Sequence, residues 1–84
     1  MHEGDFLAKL PILSGKKLIK ILSRKGFEVV GIKGSHARLK KKTNEEVIVT
    51  VIPLHKKLDV GTLWGILKQT KTSREELEKL ERKK

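Results

Sequence analysis

The residues able to do chemistry in this chain are few, and most fall close together. Lys33-Gly34-Ser35-His36 is followed by Arg38 and by Lys40-Lys41-Lys42. An imidazole has an unperturbed pKa of about 6.5, so His36 suits the role of general acid or general base. Lys33 and Arg38 carry cationic N–H groups of the kind that bind a phosphate and offset charge developing on it. Gly34 serves a turn and permits close approach of a backbone. Ser35 either binds phosphate or caps that turn. The competing reading of His36 is an exposed strand histidine with no role. His55, in Ile52-Pro53-Leu54-His55, is either a second acid or base or a loop residue hydrogen-bonded locally. With no Cys and no Tyr in the chain, His, Lys and the carboxylates are the main candidates for proton transfer.

The absence of Cys also removes disulfides and thiolate metal ligands. The three histidines, at positions 2, 36 and 55, are too scattered for a zinc site. No metal and no cofactor is therefore expected.

The elements that must position these residues are legible in the periodicity. Ser14 reads as an N-cap, with Leu13 and Leu18 spaced as a hydrophobic staple. Leu18, Ile19 and Leu22 form an apolar stripe widened by Ile21, and Gly26 stops the helix. Phe27 to Lys33 reads as a first strand, and Lys33-Gly34 as a turn. Ser35 to Lys41 is a second strand whose alternation places Ala37 and Leu39 on one face and His36, Arg38 and Lys40 on the other. After a polar turn at Thr43-Asn44, Val47 to Ile52 is a third strand. It is apolar on both faces and so is expected to be central or well covered, and Pro53 ends it. Asp59 is the expected N-cap of a helix from Val60 to about Gln69, with Val60, Leu63, Ile66 and Leu67 on its buried face. Gly65 inside it is expected to mark close packing. Trp64 at the same spacing is either core or a platform on which a base stacks. Ser73-Arg74-Glu75-Glu76 is a capping box opening a third helix to about Lys83. With only Leu77 and Leu80 as apolar positions, that helix is expected to pack weakly or on a partner.

The resulting order is α-β-β-β-α plus a C-terminal helix. The fold class is α+β, like that of double-stranded-RNA-binding domains: a three-stranded antiparallel sheet with helices on one face and the other face partly open. Residues 1–13 are an N-terminal extension, 14–72 the core domain and 73–84 the charged C-terminal helix. At 84 residues the chain has a thin core.

Charge narrows the class further. The chain carries 20 Lys or Arg against 10 Asp or Glu, a net +10. Nearly all of the excess lies between Ser14 and Lys42, where Glu28 is the one acid. A solvated lysine-rich surface accounts for a high charged fraction but not for such one-sided clustering. An anionic partner does: nucleic acid, an acidic protein or a membrane surface. The membrane is the weakest of these, because no segment joins a basic face to a large aromatic-rich apolar one, and no run approaches the length of a span. Glu3 and Asp5, with no long apolar stretch, argue against a secretory signal, and the cytoplasm is the expected compartment.

From Leu10 to Glu76 the chain resembles the HicA family of toxin mRNA interferases. The resemblance is carried in order by Leu10-Pro11, Ser14-Gly15, Leu22, Gly26-Phe27-Glu28-Val29-Val30, Lys33-Gly34-Ser35-His36, Ile52-Pro53-Leu54-His55, Gly61-Thr62-Leu63, Ile66-Leu67-Lys68-Gln69 and Ser73. Three positions depart from the common pattern. Ala37 stands where many members have a second His, Thr70-Lys71 where many have Ala-Gly, and Trp64 where Arg or Lys is common. The resemblance implies the double-stranded-RNA-binding type of fold and a metal-independent endoribonuclease acting on mRNA, with His36 as its essential residue. It also implies an acidic antitoxin of the HicB type that masks the basic face. On that reading Lys33, Gly34, Ser35, Arg38, Lys40, Lys41 and Lys42 contact RNA, the lysine run as a backbone clamp without sequence preference. The same run is alternatively a hairpin tip that the antitoxin covers. The rival from another class is a non-catalytic RNA-binding module of the same fold.

Overall fold

A computed structural model describes residues 10–82. The expectations resting on His2, Glu3, Asp5 and Lys83 lie outside the described residues. The elements are α1 (Gly15–Ser23), β1 (Glu28–Lys33), β2 (His36–Lys42), β3 (Val47–Pro53), α2 (Val60–Gln69) and α3 (Arg74–Arg82). The three strands form one antiparallel sheet in the order β1-β2-β3. The α+β class and element order are those expected from the periodicity.

Local chemistry explains where α1 begins and ends. Ser14 has an extended backbone, and its Oγ accepts from the Lys17 N–H at 3.0 Å. At the other end Gly26 takes φ of +105°, Gly26 N–H donates to Ser23 O and Phe27 N–H donates to Leu22 O. This is the hydrogen-bond pair of a Schellman motif, which satisfies carbonyls the helix leaves open. The end of α2 repeats the motif, with Lys71 N–H on Lys68 O and Thr72 N–H on Leu67 O. There the left-handed position is filled by Lys71, at φ 56°.

β2 is the middle strand, and its alternation divides the sheet. Ala37 and Leu39 are fully buried, opposite Ile52 and Thr50 of β3. With Leu18, Ile21, Leu22, Leu63 and Leu67 they form the centre of the core. The Thr50 hydroxyl donates to Gln69 Oε1 at 2.7 Å, so the one polar side chain on this part of the inner face is paired. β1 is different: all six of its residues are exposed, Ile32 to 63%. Among the described residues the helices pack over β3 and leave the β1 side of the sheet open.

Five expectations are corrected. Val60, expected on the buried face of α2, is exposed. β3 is an edge strand, not a central one: Ile52 and Thr50 are buried, but Val47, Val49 and Val51 lie exposed on the outer face. Apolar residues on both faces of a strand therefore did not mean cover on both. Gly65 does not mark close packing, since a Cβ built there meets nothing within 4 Å. Asp59 holds the N-cap position of α2 (φ −74°, ψ 162°) but makes no side-chain capping hydrogen bond of ordinary geometry. Finally, α3 packs firmly within this chain. Leu77 and Leu80 are buried against the core, and Ser73 Oγ caps the helix through the Glu76 N–H.

Two cations fasten α3 and α2 to the end of α1. Arg24 Nη1 donates to the carbonyls of Leu80 and Glu81. Lys25 Nζ donates to Thr70 O, Lys71 O, Thr72 Oγ1 and Glu76 Oε1, all at 2.9–3.1 Å. A cation on the last carbonyls of a helix meets both their free lone pairs and the negative end of the helix dipole. Leu10 and Leu13, in the segment expected to be an extension, also join the core. Among the described residues no helix is long and apolar enough to cross a membrane.

Candidate functional site

His36 opens β2 on the outer face of the sheet, where it pairs with Lys33 of β1 and Pro53 of β3. The Gly34-Ser35 turn that delivers it has Gly34 at φ +60°, the sign a type II′ hairpin requires at its first central residue. A Cβ at Gly34 would meet nothing within 4 Å, so this glycine serves the turn and not a close approach.

The close approach lies at Gly15, which sequence reasoning passed over as part of a helix start. A Cβ there would stand 2.0 Å from Pro53 O. Gly15 N–H donates to His55 O at 2.9 Å. Leu54 N–H donates to Ser35 O at 2.6 Å, and Leu58 N–H to Leu13 O at 2.8 Å. The chain leaving β3 is thus tied to the β1–β2 turn on one side and to the start of α1 on the other. The available signal was the glycine itself, a poor helix former placed in the first turn.

These ties bring His55 beside His36. The ring centroids are 6.4 Å apart at an interplanar angle of 66°, and both residues are exposed. Each lines its own groove. His36 shares an open groove of about 640 Å³ with Gly31, Ile32, Lys33, Arg38 and Val51. His55 shares a smaller one of about 250 Å³ with Pro53, Lys57, Leu58, Asp59 and Thr62. Contacts with the Thr62 hydroxyl, and secondarily its N–H, hold the Asp59 carboxyl below the usual carboxylate range against an opposing desolvation, and attraction to His55 adds to the lowering.

The remaining predicted residues divide. Arg38, Lys40 and Lys42 stay on the outer face, opposite Val51, Val49 and Val47. Lys41 turns to the other face, with its Nζ 5.8 Å from the centre of the Phe27 ring, a cation–π arrangement. The lysine run is therefore not one surface. Trp64 is partly buried and packs against the core, beside a groove shared with Gly65, Leu67, Lys68 and Thr72 on the helical layer. Among the described residues no group of three or more His, Cys, Asp or Glu side chains is placed to hold a metal ion.

The arrangement is two imidazoles at the rim of a cationic sheet face, suited to proton transfer at an anionic group. The model of the HicA toxin of bacterial toxin–antitoxin systems matches residues 15–71, which include both histidines and the whole sheet. The chain belongs to the HicA toxin family. No curated protein and no solved structure matches it. As a HicA toxin it is one half of a toxin–antitoxin pair, and an antitoxin partner follows from the family. The HicA match ends at Lys71, where the left-handed residue closes α2.

Proposed function

We propose that this toxin is a metal-independent endoribonuclease that cleaves mRNA and so blocks translation, with His36 as its essential general acid or base. The observation that carries the reading is the position of His36: exposed on an open sheet face, in one groove with Lys33 and Arg38, in a chain of the HicA family. Cleavage of this kind uses the ribose 2′-hydroxyl as nucleophile. A base takes the 2′ proton as the oxygen attacks phosphorus, and an acid gives a proton to the departing 5′ oxygen. The products are a 2′,3′-cyclic phosphate and a 5′-hydroxyl end, so atoms and charge balance without an added reactant. Lys33 and Arg38 bind the phosphate and meet its growing negative charge. Lys40 and Lys42 hold neighbouring phosphates along the strand, an electrostatic contact that weakens as salt rises. An acidic HicB-type antitoxin masks the same face.

The test is incubation of purified protein with RNA in excess EDTA. Cleavage to 5′-hydroxyl products is expected. His36→Ala, at an exposed position, is expected to remain folded and to lose at least about 100-fold in rate, the lower end of what a positioned acid or base contributes. Retention of RNA on a gel without cleavage by the wild type would mark a binding module. A fully active His36→Ala variant would end the assignment of His36.

A further inference from the structure

We infer that His55 is the second proton-transfer residue of this site, the general acid that protonates the departing 5′ oxygen while His36 serves as base. This rests on the reading of the chain as a ribonuclease acting through His36. An in-line displacement sets the attacking and leaving oxygens on opposite sides of phosphorus, so one imidazole cannot serve both at once. Each proton-transfer group must come within about 2.6–3.2 Å of its own oxygen, on its own side. Ring centroids 6.4 Å apart, with the rings steeply inclined, leave room for a phosphate group to enter between them.

The neighbours of the two rings differ in a way that assigns the roles. His36 shares its groove with Lys33 and Arg38, two cations that draw the phosphate in, so His36 is the ring set to meet the attacking 2′-hydroxyl. His55 shares its groove with Asp59, to which it is attracted electrostatically, and with Lys57. That leaves His55, on the other side of the entering phosphate, to serve the departing 5′ oxygen. The backbone geometry is also that of a placed residue. His55 O is held by Gly15 N–H, and Leu54 beside it by Ser35 O, the residue just before His36. One exposed loop residue is thus fixed from two directions toward the other histidine, although nineteen positions separate them in the chain.

The experiment compares two RNA substrates on wild type, His36→Ala and His55→Ala. One is an ordinary dinucleotide phosphodiester. The other has sulfur in place of the bridging 5′ oxygen, and a thiolate leaves without needing a proton. On the ordinary substrate His55→Ala is expected to lose about 100-fold or more in kcat, in the range general-acid removal produces. On the sulfur substrate it is expected to return to within about tenfold of wild type, whereas His36→Ala stays inactive on both. His55 is exposed, and unchanged denaturation midpoints establish that the variants are folded. If His55→Ala cleaves the ordinary substrate at the wild-type rate, His55 has no part in proton transfer, and the role of His36 stands untouched. If sulfur rescues His36→Ala instead, the assignment is reversed and the inference falls. If wild type cleaves neither substrate, it is the ribonuclease reading that fails.

Discussion

The two faces of β2 are built from alternate residues of one strand, yet they answer to different demands. Ala37 and Leu39 are fully buried among the helices, and nothing about them is chemical. His36, Arg38 and Lys40 point the other way, His36 opposite Pro53 and the two cations opposite exposed valines, and contribute little to holding the fold together. A two-residue period is enough to separate the core from the proposed site, because neighbouring side chains on a strand never share a surface. The cations divide along the same line. Arg24 and Lys25 are committed to helix ends, and Lys41 to the face of Phe27. Lys33, Arg38, Lys40 and Lys42 are left on the open side. The charge excess is thus partly structural and partly left free on the open face, a distinction that net charge conceals.

The comparison breaks most readily at adjacent positions. Leu39→Ala is expected to lower unfolding free energy by about 2–5 kcal/mol, the range for emptying a packed core site. Arg38→Ala, one residue away, is expected to change it by no more than about 0.5 kcal/mol. It should instead weaken RNA retention and reduce the magnitude of the salt dependence by about one phosphate contact. Urea denaturation and a salt series on the same two variants check both halves. If Arg38→Ala unfolds the protein, the division of the sheet is wrong.

The next effect tests the structural cations. Lys25→Ala removes a donor from four acceptors at the junction of α1, α2 and α3 and is expected to cost about 2 kcal/mol, read by denaturation. The smallest concerns the two Schellman ends. Lys71→Gly is expected to stabilise by up to about 1 kcal/mol, because a Cβ is disfavoured at positive φ. The gain is reduced by loss of the exposed Lys71–Glu46 ion pair. A destabilised Lys71→Gly variant would show that the ion pair outweighs the backbone.

Much of this could be read from residue order. Alternation in Ser35 to Lys41 placed Ala37 and Leu39 inside and His36 outside, and the caps at Ser14 and Ser73 carry the hydrogen bonds their side chains suggest. The failures have a common cause, namely that they depend on what lies across space. The Val47 to Ile52 segment looks covered on both sides, but cover depends on how many layers a short chain can supply, and among the described residues the helices lie to one side only. Leu77 and Leu80 look too few to dock a helix, yet Arg24 and Lys25 supply the rest of the attachment. His55 stood as an ambiguous loop residue because its proximity to His36 arises from the Pro53 pairing and the Gly15 contact, and neither leaves a periodic trace. Gly15 leaves only the weak trace of a glycine in a first helical turn, since its role is the absence of an atom where Pro53 O must pass.

The valines opposite Arg38, Lys40 and Lys42 have a bearing on the protein as a solute. Each apolar residue of the β3 row is directly across from a cation on β2. Two copies approaching through this exposed face therefore bring like charges together before any apolar area is removed from water. The repulsion reaches about 10 Å at 0.1 M salt and only about 3 Å at 1 M. The basic row is in this sense a guard against self-association, one that an anion bound along it would lift.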